Sequence, residues 1–137
     1  ESCTGGLIAH RITSNPGSSD FFKGSITAYS NEVKIKELKV PEDVIENYGA
    51  VSEECAKAMA QGVMERLESD FSIATTGIAG PDGGTVEKPV GTIWMAAAMK
   101  DRVITHKLSF DRGREQNIQY SAINALNLLR QLILGLK

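Results

Sequence analysis

Residues 70–84 read Asp70-Phe71-Ser72-Ile73-Ala74-Thr75-Thr76-Gly77-Ile78-Ala79-Gly80-Pro81-Asp82-Gly83-Gly84, an apolar and β-branched run that passes without a break into glycine. The span from Asp70 to Thr76 predicts a buried strand. The glycines after it let a backbone approach a ligand closely and turn N–H donors toward an anion. The stretch lacks the Lys-Ser/Thr ending of a P-loop and the spacing of a dinucleotide fingerprint, so a single phosphate or carboxylate suits it better than a triphosphate. Taken alone it fits an ordinary long turn equally well.

Downstream, Gly91 to Met99 reads as a second strand that turns at Lys100-Asp101 into Arg102 to Phe110, where Val103, Thr105 and Lys107 alternate with Ile104, His106 and Leu108. A hairpin is expected. A long helix follows from about Arg114 to Leu134, with Ile118, Ala122, Ala125, Leu129 and Ile133 along one face. Upstream of residue 70, Ser52 starts an amphipathic helix carrying Ala56, Met59, Val63 and Leu67. Before that, Pro41 ends a short helix from Glu32 to Leu38 capped by Asn31, and Gly24 to Tyr29 reads as a strand. Asn15 to Ser19 is turn chemistry, and Gly5 to Thr13 carries Leu7, Ile8 and Ile12 near helical spacing. Each helix has one apolar stripe to bury, so the alternation predicts an α/β fold: a three-layer α/β/α sandwich with a mixed β-sheet.

The chain has 137 residues, 42% apolar and 23% charged, which suits one domain with a sizeable core. Its net charge of −2 argues against nucleic acid or an acidic membrane as partner. No apolar run is long enough to span a bilayer and no signal peptide is visible, so a cytoplasmic location is expected. Cys3 and Cys55 are too few for a disulfide framework and lack zinc-site spacing. The first residue is Glu1 rather than Met, so an upstream segment is expected. Met59, Met64 and the apolar end of the last helix could supply a homo-oligomer interface.

Glu1-Ser2-Cys3-Thr4-Gly5-Gly6 places a hydroxyl where a strand would give way to a helix and backbone N–H groups point outward, as a nucleophile with an oxyanion pocket requires. Ser2 and Thr4 as simple helix caps fit the same residues. Cys3 is the stronger nucleophile, yet such cysteines are commonly buried. The two histidines, His10 and His106, lie inside periodic segments, which disfavours a His-centred triad. Lys34, shortly after Tyr29, could be the base if burial lowered its pKa; a solvated surface charge is the alternative. Arg112 and Arg114 could add positive charge near the glycine-rich run or simply face solvent.

The ordered motifs Glu1-Ser2-Cys3-Thr4-Gly5-Gly6, Pro16-Gly17-Ser18-Ser19, Ala28-Tyr29-Ser30-Asn31-Glu32 with Lys34, Gly49-Ala50-Val51-Ser52, Thr76 to Pro81 with Gly83-Gly84, and Lys88-Pro89-Val90-Gly91-Thr92 run through nearly the whole chain. On them the sequence resembles the CinA C-terminal domain family, the nicotinamide-nucleotide amidohydrolases. The resemblance implies a single amidohydrolase domain over 1–137, lacking an upstream helix and first strand. It implies deamidation of nicotinamide mononucleotide to nicotinic acid mononucleotide and ammonia, a step of pyridine nucleotide salvage, without metal or other cofactor. Carried over by position, the nucleophile falls on Ser2, the catalytic tyrosine on Tyr29 and the lysine on Lys34, with Ser19 assisting. Substrate contacts are expected from Thr4, Gly5, Gly6, Asn31, Thr76, Gly77, Gly80, Gly83, Gly84 and Arg114. Of the two arginines only Arg114 carries over cleanly. The competing expectations are a hydrolase of another small amide and a non-catalytic nucleotide-binding, regulatory domain.

Overall fold

The computed structural model describes residues 1–137, and its central layer grows from the stretch just quoted. Strand β1 (Phe71–Gly77) pairs antiparallel with β2 (Thr92–Met99), and β2 pairs antiparallel with β3 (Arg102–Ser109) through the expected two-residue turn. Along β2, Ile93, Met95 and Ala97 face one side, where they join Ile8, Ala122, Ala125, Leu128 and Leu132. Ala96 and Ala98 face the other and join Leu38, Cys55, Ala56, Met59 and Ala60. A strand buried on both faces reads as a continuous apolar run, which is why β2 does not alternate.

Helices α1 (Leu7–Thr13) and α5 (Arg114–Ile133) cover the first face; α2 (Asn31–Leu38), α3 (Glu42–Tyr48) and α4 (Glu53–Arg66) cover the second. The three-layer α/β/α expectation therefore holds. The sheet differs in one respect: its ladder is wholly antiparallel. Parallel pairing is limited to Glu1, whose amine donates to the Ile26 carbonyl at 2.9 Å and whose carbonyl accepts from Ala28 N at 2.8 Å. The span Gly24 to Tyr29 forms no regular strand, because Glu1 is the only residue whose backbone bonds to its backbone.

Three local expectations are corrected. The cap of α2 is Ser30, whose hydroxyl accepts from Val33 N at 3.2 Å, and Asn31 is already helical. Helix α3 was not visible in the pattern, being seven residues long with only Val44 and Ile45 partly buried. Met59 is fully buried and unavailable to a partner, whereas Ile133, Leu134 and Leu136 are exposed, as the drift of the α5 stripe onto Leu128 and Leu132 dictates. No helix is long and apolar enough to cross a membrane.

One glycine fixes how closely α2 can approach α4. A Cβ on Gly62 would lie 1.8 Å from the Leu38 carbonyl oxygen, so only hydrogen fits between the end of α2 and the middle of α4. This contact sets the height of α2, and Lys34 stands one turn before Leu38 on it.

Candidate active site

The first residues form a tight turn between the sheet and α1. Ser2 N donates to the Thr75 carbonyl at 3.0 Å, which fixes the turn to β1, and Gly5 N closes it onto the Ser2 carbonyl at 3.0 Å. Gly5 and Gly6 have φ of 57° and 103°, which glycine adopts without strain. Gly6 N then donates to Glu1 Oε1 at 3.2 Å. The N–H groups of Cys3 and Thr4, by contrast, donate to no acceptor of the protein. Ser2 and Cys3 line an open cleft of about 280 Å³ between this turn, α2, the α3–α4 loop and the loop after β1.

Lys34 reaches the same point from α2. Only 2% of the residue is exposed, and its Nζ lies 3.1 Å from Ser2 Oγ, 2.9 Å from the Ala28 carbonyl and 3.2 Å from the Tyr29 carbonyl. Both ion pairs of the molecule, Lys57–Glu53 and Arg66–Glu37, lie on other side chains, so the amine has no carboxylate to hold its charge. Burial accordingly pulls Lys34 below its usual 10.5, with the nearby Cys55 and Cys3 thiols opposing in part. The three contacts suit the amine in either state: the ammonium donates to all three oxygens, and the neutral form donates to the two carbonyls and keeps a lone pair for the Ser2 proton. The solvated-charge reading of Lys34 does not survive this geometry.

Burial pushes the Cys3 thiol the other way, up to about 11, and the group hydrogen-bonded to the Lys34 amine is the Ser2 hydroxyl. Tyr29 is 64% exposed; its hydroxyl is 3.4 Å from Arg114 Nη2 and makes no bond to Ser2 or Lys34. Its contribution to the lysine is its backbone carbonyl. Arg114 lies across the cleft, where Nη1 donates to the Gly80 carbonyl at 2.7 Å. Arg112 instead stacks on Tyr120, 4.7 Å from the ring centre, away from the cleft.

Asn31, Thr76, Gly77, Gly80, Gly83 and Arg114 all line the cleft with Ser2, Tyr29 and Lys34. Thr76 does so while its hydroxyl donates to the Ala50 carbonyl at 2.8 Å. Ser19 does not join them. It sits on an exposed one-turn helix, Ser18–Asp20, beyond the far end of α1, and a seven-residue helix separates that end from Ser2 by roughly 10 Å. Thr4, Gly5 and Gly6 are not among the residues lining the cleft: the Thr4 hydroxyl and the Gly6 N–H donate to Glu1, and the Gly5 N–H is taken by the turn itself, which leaves the Thr4 N–H without a partner. Gly84 packs under Val90, where a Cβ would meet the Val90 nitrogen at 2.7 Å.

Sequence reasoning named neither Ala50 and Val51 nor Asp82 as site residues, yet all three line the cleft. Asp82 lay in plain view inside the glycine run; Ala50 and Val51 needed the position of α3. Neither histidine contributes. A second, more apolar groove between residues 21–26 and 71–74 contains neither Ser2 nor Lys34.

Comparison with known proteins agrees with this fold. The model of a protein family described as the CinA C-terminal domain matches residues 1–133. A CinA-like protein of Dictyoglomus thermophilum is 48% identical over 136 residues, which are 99% of this chain and 33% of that protein. One from Thermosipho melanesiensis is 50% identical over 135 residues, 97% of this chain and 34% of that protein. The chain thus spans about a third of the length of the curated relatives it matches. Among solved structures, the competence/damage inducible protein CihA of Agrobacterium tumefaciens superposes with a TM-score of 0.93 at 38% identity, covering 96% of this chain and 81% of that one. A CinA superfamily protein of Escherichia coli gives 0.91 at 36% identity, with 96% and 76% covered.

Proposed function

The chain belongs to the CinA C-terminal domain family, and from that premise we propose that it is a serine–lysine amidohydrolase converting nicotinamide mononucleotide to nicotinic acid mononucleotide and ammonia. The observation that carries the proposal is the buried, carboxylate-free Lys34 amine 3.1 Å from the Ser2 hydroxyl.

In this mechanism the neutral amine of Lys34 takes the Ser2 proton while Oγ attacks the carboxamide carbon, a general-base step worth about 10²–10⁴ in rate. The oxyanion forms beside the two unpartnered N–H groups of Cys3 and Thr4, each worth about 3–4 kcal/mol if well aimed. The ammonium of Lys34 then returns its proton to the departing nitrogen, so the C–N bond breaks and ammonia leaves. A water, deprotonated by the same amine, cleaves the resulting ester and restores Ser2. The two carbonyls that hold Nζ keep its lone pair aimed at Oγ in both steps.

Arg114 and the N–H groups of the loop from Gly80 to Gly83 supply the anion-facing wall opposite the nucleophile, which suits the phosphate of a mononucleotide. Tyr29, beside Arg114 and open to solvent, orients the substrate rather than relaying the proton. The test is ammonia release by the full-length protein from nicotinamide mononucleotide, nicotinamide riboside and simple amides, with Ser2→Ala as control. Turnover of the mononucleotide far above the riboside, abolished in Ser2→Ala, supports the proposal. Equal turnover of simple amides moves the substrate, and tight nucleotide binding without ammonia release replaces the enzyme with a nucleotide-sensing domain.

A further inference from the structure

Beneath Ser2 lies a set of buried polar groups that the proposed mechanism does not use. The Glu1 carboxylate is in neither ion pair of the molecule, and it is satisfied by four donors: Thr4 Oγ1 at 2.7 Å, Gly6 N at 3.2 Å, Ile8 N at 2.9 Å and Ala9 N at 3.0 Å. Thr4 Oγ1 lies 2.8 Å from Thr75 Oγ1, and Thr75 is fully buried. The carbonyl of the same Thr75 holds Ser2 N.

We infer that Glu1, Thr4 and Thr75 are positioning residues that hold the Ser2 hydroxyl against Lys34, an inference that rests on the serine–lysine reading of the site. Two features separate this from ordinary helix capping. The residue preceding α1 is Gly6, which has no side chain, so the helix N–H groups are satisfied from Glu1. The acceptor is thus the neighbour of the nucleophile, and the turn from Ser2 to Gly6 is clamped at both ends: to β1 through Thr75, and to α1 through Glu1. The direction of the chain of hydroxyls is also fixed. A carboxylate only accepts, so the single proton of Thr4 goes to Glu1 and Thr75 must donate to Thr4. Valine has the shape of Thr75 but cannot donate; serine can.

The cleft wall formed by Gly80, Gly83 and Arg114 belongs to other elements. Loosening the clamp therefore moves Ser2 and the Cys3 and Thr4 N–H groups while leaving the ligand-facing wall in place. The predicted signature is a fall in kcat with KM little changed.

The experiment uses the full-length protein, in Thr75→Val, Thr75→Ser and Glu1→Gln forms, with three readouts: the rate of Ser2 labelling by a fluorophosphonate, kcat and KM for nicotinamide mononucleotide, and the melting temperature. Expected are a fall of about tenfold or more in labelling rate and kcat for Thr75→Val, with KM within about twofold, and near wild-type values for Thr75→Ser. Glu1→Gln, which turns an amide N–H toward the Ala9 or Gly6 donor, is expected to behave like Thr75→Val and serves if that variant does not fold. Wild-type labelling in folded Thr75→Val or Glu1→Gln overturns the inference. So does equal loss in Thr75→Val and Thr75→Ser, which would mark a packing role. Labelling needs no amide substrate, so a wild-type protein labelled at Ser2 but releasing no ammonia refutes the proposed substrate, and the clamp is then judged on labelling alone. A wild-type protein that is not labelled overturns both.

Discussion

Replacing Gly62 by alanine adds one methyl group to α4, far from the cleft, and tests whether the packing of α2 governs the chemistry. The new Cβ would sit 1.8 Å from the Leu38 carbonyl oxygen and 2.8 Å from its carbon. Real Cβ contacts do not close below 3.0 Å, so α2 must retreat by more than an ångström at Leu38. Lys34 lies one turn away on the same eight-residue helix and moves with it. Its 3.1 Å contact with Ser2 Oγ then stretches beyond hydrogen-bond range. A misplacement of that size costs about 10²-fold in rate. Stability changes less, because overpacking costs about 1–3 kcal/mol while alanine in a helix recovers about 1 kcal/mol relative to glycine. The net loss of roughly 1 kcal/mol lowers the melting temperature by about 3–5 °C in a domain of this size. Ammonia release and a thermal melt on the same preparation read both effects. A folded Gly62→Ala protein with wild-type kcat refutes the coupling of α2 height to the site, and an unchanged or raised melting temperature refutes the close approach itself.

The pH profile of kcat should rise through the titration of Lys34 at a pH below 10.5, since only the neutral amine accepts the Ser2 proton; a rate independent of pH on that limb would contradict the base assignment. The same depression has a consequence for stability. Between the folded pKa and 10.5 the unfolded chain binds more protons, so the fold gains stability as pH rises, by about 1.4 kcal/mol for each pH unit that separates the two states. Lys34→Met removes that gain, so the stability of wild type relative to Lys34→Met, followed by denaturant unfolding as the pH is raised from neutrality to 10.5, should shift toward wild type. Cys3→Ala should keep turnover within a few-fold of wild type, because a thiol held at about 11 is almost wholly protonated at neutral pH; loss of activity matching that of Ser2→Ala would make Cys3 the nucleophile. Tyr29→Phe should raise KM more than it lowers kcat, since the hydroxyl touches Arg114 and not the reacting pair; a pure kcat loss in steady-state kinetics would restore the proton-relay role.

Much of the scaffold was legible because single elements announce themselves. The hairpin from Thr92 to Ser109 follows from two apolar runs around Lys100-Asp101, and α4 and α5 follow from stripes that repeat at three and four residues. The errors fall where local signals compete or are short. Ser30 and Asn31 are both good caps, and which one ends the extended segment depends on backbone direction. Helix α3 has too few apolar positions for a periodicity, although it carries Ala50 and Val51 to the cleft. The mixed sheet was expected from alternating helices and strands, but with the backbone of segment 24–29 bonded to no other backbone than that of Glu1 the ladder remains antiparallel.

By itself the sequence determined which residues could react: a serine in a glycine-flanked turn, a lysine near a tyrosine, a glycine run after a strand, and no histidine beside any of them. Those are properties of residue type and near neighbours, and linear order carries them. Tertiary structure alone decided that Lys34 is buried beside Ser2 and is not a surface charge, because that depends on residues 32 positions apart folding together where no carboxylate pairs with Nζ. It likewise decided that Ser19 stands apart from Ser2 and that Arg114 faces the cleft while Arg112 does not. The pKa of an amine is set by what surrounds it in space, and side chains close in space here come from α2, the opening turn and the far end of β1, which the order of residues does not bring together.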